Sequence, residues 1–130
     1  MAVIRPNDYL DRLQSLAAVH KVRVERVIVV PSIQEWCIAN GQEEQNPFRT
    51  GRIFQNPETK DYLVVLVEEI TPDMQNSVIS AMQMHGFDDE VEQLSDPLLF
   101  LDHLFLHELA HALNQDATER ECDEWAFNQL

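Results

Sequence analysis

With 130 residues, 45% of them apolar, the chain is long enough for one domain with a real hydrophobic core. Nine basic against 23 acidic residues give a formal net charge of −14. That charge disfavours direct binding to nucleic acid or to anionic membranes, and it favours solubility and cations.

The stretch from Met1 to Pro6 lacks a long apolar run, and Asp8 and Asp11 follow early. No secretory leader is therefore expected, nor any membrane span, and a cytoplasmic location follows as the expectation. Asn7 or Asp8 is expected to cap a first helix over about residues 8–20, with Leu10, Leu13, Leu16 and Ala17 as its inner stripe. Residues 22–30 read as a strand: Val22 and Val24 alternate with Arg23 and Glu25, the rest is apolar, and Pro31 breaks it. Ser32 with Glu35 is a capping-box signature for a helix to about Asn40, stopped by Gly41. Residues 42–50 are polar and read as a loop. Arg52 to Gln55 is a short strand, Asn56-Pro57-Glu58-Thr59 a turn, and Asp61 to Ile70 the longest strand, together a hairpin. Thr71-Pro72-Asp73 starts a helix to His85, stopped by Gly86. The acidic run Asp88 to Asp96 reads as a loop or weak helix, without the glycine spacing of a calcium-binding EF-hand loop. Cys37 and Cys122 make no disulfide framework and read as small buried hydrophobes.

Asp96-Pro97 then starts a helix from Leu98 to Leu113 that is apolar nearly all round, so it belongs in the middle of the domain. Within it stands His107-Glu108-Leu109-Ala110-His111. Histidines four apart project from one helical face, so both imidazoles reach a single metal ion. The glutamate between them sits beside that ion, where a general base takes a proton from water. H-E-x-x-H is the signature of zinc-dependent peptidases for this reason. Two histidines and a glutamate in a buried helix are expensive unless something satisfies them, as a cation does. The competing reading is a core helix whose histidines are hydrogen-bonded to backbone or carboxylates.

A catalytic zinc site needs a third protein ligand. Asn114 is expected to stop the helix in a left-handed conformation, and Thr118 with Glu121 is a capping box for the next helix. On that helix Cys122, Ala126 and Leu130 mark the apolar arc, and Glu119 and Asp123 lie inside it. Glu121 and Glu124 fall outside. Glu119 is assigned as third ligand, with Asp116 in the turn as the alternative. Asp123 is assigned as the acceptor for the N–H of a ligand histidine.

His107-Glu108-Leu109-Ala110-His111, followed by Glu119-x-x-x-Asp123 and Trp125-Ala126, resembles the Glu-zincins, most closely their small ImmA/IrrE-type metallopeptidase domains. Cys122 stands where those domains usually carry alanine, and the link from His111 to Glu119 is shorter than usual. The resemblance implies Zn2+ at His107, His111 and Glu119, Glu108 as general base, and a peptide or protein substrate. It also implies peptide binding along an edge strand, by analogy Arg52 to Gln55 or Asp61 to Val67. Tyr62, His85, His103, Arg52 and Tyr9 are candidates to stabilise an oxyanion.

The expected fold is α+β over residues 1–130. A small three-stranded sheet packs on helices, including the buried H-E-x-x-H helix and a C-terminal ligand helix. The expected function is zinc-dependent peptide hydrolysis. The alternative is a catalytically silent, zinc-stabilised interaction or regulatory module.

Overall fold

The computed structural model describes residues 2–130. Its elements are helix α1 (Leu10–Val19), strand β1 (Val24–Val30), helix α2 (Ile33–Ala39), strands β2 (Gly51–Gln55) and β3 (Tyr62–Val67), and helices α3 (Pro72–Met84), α4 (Pro97–Leu113) and α5 (Glu119–Gln129). This is the α+β arrangement with a three-stranded sheet. The strand order is β1-β3-β2, with β1 parallel and β2 antiparallel to β3. Among the described residues, no helix is long and apolar enough to cross a membrane.

The run Leu63 to Val67 is apolar because both of its faces are covered. Val64, Val65 and Leu66 are fully buried. Side chains of paired residues share a face. Gly51, Ile53 and Gln55 therefore lie with Leu66, Val64 and Tyr62 on one face, and Arg52 and Phe54 lie with Val65 and Leu63 on the other. The first face meets α4: the Tyr62 hydroxyl donates to the Ala112 carbonyl at 3.3 Å. The second meets α2, where Trp36 packs on Phe54 with ring centroids 5.6 Å apart.

Helix α4 is the centre of the molecule, packed against α5, β2 and α1. Phe100, Leu101, Phe105, Leu106 and Leu109 are at most 1% exposed. Each such side chain contributes about 1.5–3 kcal/mol by leaving water. Asp102 is one of the buried polar groups that interrupt this core. It receives both Nε (2.8 Å) and Nη2 (2.6 Å) of Arg12, which locks α1 to α4. Arg12→Ala should strand that carboxylate. Breaking a fully buried pair costs about 3–5 kcal/mol, and because Arg12 is 44% exposed we expect about 2–3 kcal/mol here, read as a lower urea midpoint with unchanged slope.

Several local expectations need correction. Neither Asn7 nor Asp8 caps α1; a 3-10 turn over Pro6–Tyr9 leads into it, and the N-cap position, Tyr9, makes no side-chain cap. The proline ring presets that turn. The first strand starts at Val24 because Lys21 adopts φ 58° and the Val22 N–H bonds back to Ala17, so Val22 closes the helix. The long strand ends at Val67, and Ile70 instead pairs in an isolated bridge with Ile4. The acidic run, in keeping with the expected loop or weak helix, forms a 3-10 segment, Glu90–Ser95, pinned by buried Val91 and Leu94. Strand β3 is paired on both sides, which removes Asp61 to Val67 as a free edge; β2 is the outer strand beside α4.

Candidate metal centre

Asp96 accepts from the Leu98 N–H at 2.9 Å and Pro97 takes the first helical position, so local chemistry sets where α4 begins. From that start, His103, His107 and His111 fall on one stripe. They rise from the core to the surface, with side chains 2%, 13% and 24% exposed. The group that could hold a metal ion forms where this stripe emerges.

The link to α5 is tight. Asn114 is extended (φ −145°, ψ 97°) rather than left-handed. Its side-chain oxygen accepts from Asp116 N–H at 3.1 Å, so an Asx turn reverses the chain without a left-handed residue. Thr118 and Glu121 then make both bonds of a capping box. This fixes Glu119 as the first residue of α5, facing the histidines.

Glu119 spans both imidazoles: one oxygen lies 2.7 Å from His107 Nε2 and the other 3.3 Å from His111 Nε2. His107, His111 and Glu119 each bring a ligand atom within 4.8 Å of the others, and this group can hold a metal ion. Asp116 is exposed and lies outside it. One turn beyond Glu119, Asp123 accepts from His107 Nδ1 at 2.7 Å and lies 3.2 Å from His103 Nε2. Its other oxygen is 3.6 Å from His85 Nδ1. The bond to Asp123 holds the Nδ1 proton of His107 and turns Nε2 toward Glu119.

The charges follow from these contacts. Burial works to lower the pKa of His107, but its hydrogen bonds to Asp123 and Glu119 outweigh that and raise it to about 10. Hydrogen bonds from His107 and His111 hold Glu119 well below the usual carboxylate range. Burial works to raise Asp123, but the bonds from His103 and His107 bring it down to about 2. Glu108 behaves differently: burial raises its carboxyl, against the opposing pull of His107, Arg49 and His111. Burial, with Glu119 nearby, pushes the Cys122 thiol up to about 12, so it stays neutral beside His111 Nδ1 at 3.5 Å.

Two clefts of about 330 and 320 Å³ open at this centre. The first has an apolar wall of Phe48, Met74, Val78, Ala81, Met82 and Leu104, with His85 and His107 beside it. The second is lined by Arg52, Gln55, Tyr62, His111 and Gln115. Arg49, Glu108 and Glu119 belong to both. Gly51 lets β2 approach closely: a methyl group there would meet Leu66 Cδ2 at 3.1 Å and Glu108 Cγ at 3.6 Å.

Of the expected oxyanion candidates, His85 and His103 line the first cleft and Arg52 and Tyr62 the second; Tyr9 lines neither. Sequence reasoning missed Arg49, which lies in the stretch read only as a polar loop. Its one sequence signal is adjacency to β2. Comparison with protein-family models, curated proteins and solved structures gives no match in any of the three.

Proposed function

We propose that this protein is a zinc-dependent hydrolase of peptide bonds. One observation carries the reading. The other buried carboxylates here are paired, Asp102 with Arg12 and Asp123 with histidines. Glu108 is 4% exposed, yet it opens onto both clefts beside a group able to hold a metal. Two imidazoles and one carboxylate are a donor set suited to zinc, whereas calcium and magnesium favour oxygen donors throughout.

His107, His111 and Glu119 would hold a zinc ion, which would supply Lewis acidity by lowering the pKa of water toward ~7 and polarising a carbonyl. Glu108 takes the proton of the attacking water and passes it to the leaving amine; a carboxyl raised by burial suits that exchange near neutrality. Asp123 keeps His107 in one tautomer. The outer edge of β2 is available for an extended peptide, whose side chains then alternate into the clefts. The substrate is thus a peptide or protein segment in extended form.

The second reading is a metal-stabilised module without turnover, favoured by the way the cluster staples α4 to α5. A structural zinc site normally fills all four positions, and the group among the described residues has three members. The test is cleavage of a degenerate peptide library by zinc-loaded protein and its loss on chelation. No cleavage by fully loaded protein would overturn the proposal.

The first cleft also sets a preference. Its apolar wall favours a bulky apolar side chain next to the cleaved bond. Ala81 is exposed at that wall, so Ala81→Phe should fold and fill the space. We expect kcat/KM on Phe- or Leu-containing substrates to fall about 10–100-fold and Ala-containing substrates to be spared. A panel of fluorogenic peptides reads the difference.

A further inference from the structure

A substrate that spans both clefts must present its scissile bond where they join. Arg49, Glu108 and Glu119 line that junction. The proposed function gives Glu108 and Glu119 roles there, and Arg49 has none so far. Its side chain is one-third exposed and held at one end: Nε donates to the Gly51 carbonyl at 3.1 Å and lies 3.6 Å from Glu44. Both of these contacts use Nε, which leaves the four N–H donors of the two Nη groups for the cleft. The Arg49 charge also reaches Glu108 strongly enough to oppose the effect of burial on its carboxyl.

Three other polar side chains of the clefts, Tyr62, Arg52 and His103, are already engaged. The Tyr62 hydroxyl is bonded to Ala112. Arg52 donates to the Glu43 carbonyl at 2.7 Å and lies over the Phe54 ring at 4.7 Å. His103 is 2% exposed and lies against Asp123, which also faces His85.

Building on the peptidase reading, we infer that Arg49 is a catalytic residue, binding the scissile carbonyl oxygen as it becomes anionic. When water adds, its oxygen forms a bond to the carbonyl carbon, the π pair moves onto the carbonyl oxygen, and Glu108 receives the water proton. Arg49 donates to that oxygen. The π bond then re-forms, the C–N bond breaks, and Glu108 returns the proton to the leaving amine. A guanidinium anchored to the first residue of β2 is already oriented for this, so little reorganisation is needed at the moment of reaction.

The test compares wild type, Arg49→Gln and Arg49→Lys, each zinc-loaded, with zinc affinity and melting temperature measured alongside. Arg49→Gln should lower kcat about 10²–10³-fold with KM little changed, and Arg49→Lys should recover part of it. A separate binding measurement uses a phosphinic peptide, whose tetrahedral anion resembles the transition state, and the matching uncleavable reduced-amide peptide. Arg49→Gln should weaken the phosphinic peptide by a similar factor and leave the reduced amide bound as before. Equal weakening of both ligands, a rise in KM alone, or a loss traced to zinc affinity or melting would overturn the inference while the peptidase reading stands. A wild type that neither cleaves peptides nor binds the phosphinic ligand would overturn both.

Discussion

Glu108→Gln should retain zinc at wild-type affinity and lose about 10²–10⁴-fold in kcat. The substitution keeps the size of the side chain and removes its basicity. Glu108 is not one of the three residues whose atoms converge on a common point, so metal binding has no reason to change. Stability should hold or rise slightly, because burial already disfavours the carboxylate form. Activity is measured on peptides identified from the library and zinc content by elemental analysis of the same sample. A variant with full zinc and undiminished turnover would remove Glu108 from the mechanism and leave the metal-stabilised module as the better reading.

The second large effect comes from the metal. His111→Ala or Glu119→Ala should abolish the zinc-dependent rise in melting temperature, and exposed Asp116→Ala should leave it intact. A ligand that binds only the folded chain stabilises it by about 2.7–4.1 kcal/mol at 100–1,000 times its Kd. For a domain of this size that is roughly 10–15 °C. His111 sits at the surface end of the stripe, so its loss leaves the core of α4 intact and removes mainly this increment.

Metal-free protein should carry a distinct pH signature. The His107 pKa is raised from 6.5 to about 10, so its pairing with Asp123 and Glu119 adds stability that is fully present below pH 6.5. That stability is lost as pH rises through about 10. Zinc requires neutral His107, so binding in this window releases a proton, and apparent affinity should rise roughly tenfold per pH unit. Melting curves at several pH values, with and without zinc, should diverge as pH increases. A metal-free melting temperature that stays flat from pH 6.5 to 10 would show that His107 is not held in charged form.

The residues brought together at the candidate metal centre were legible because each rests on a local rule. Asp96-Pro97 sets the start of α4, the four-residue spacing puts His107 and His111 on one face, and Thr118 with Glu121 sets the start of α5. Helical phase then separates Glu119 and Asp123 from Glu121 and Glu124. The failures are just as physical. Asn114 has the side chain for a left-handed stop, but the chain had to reverse within the five residues 114–118, and an Asx turn does that in extended backbone. Pro6 and Lys21 moved the ends of α1 and β1 through backbone geometry that apolar periodicity does not record.

The amino-acid order alone determined where α2, α3, α4 and α5 start and which faces α4 and α5 present, because caps and the 3.6-residue period act over a few neighbouring residues. It also put two imidazoles, a glutamate and an inward carboxylate within reach of one another. Tertiary packing decided that β3 lies between β1 and β2, that β2 keeps an outer edge beside α4, and that Arg49 stands next to Glu108. Those neighbours are distant in sequence. Their meeting depends on which faces the sheet and helices bury against each other, and no local pattern carries that information.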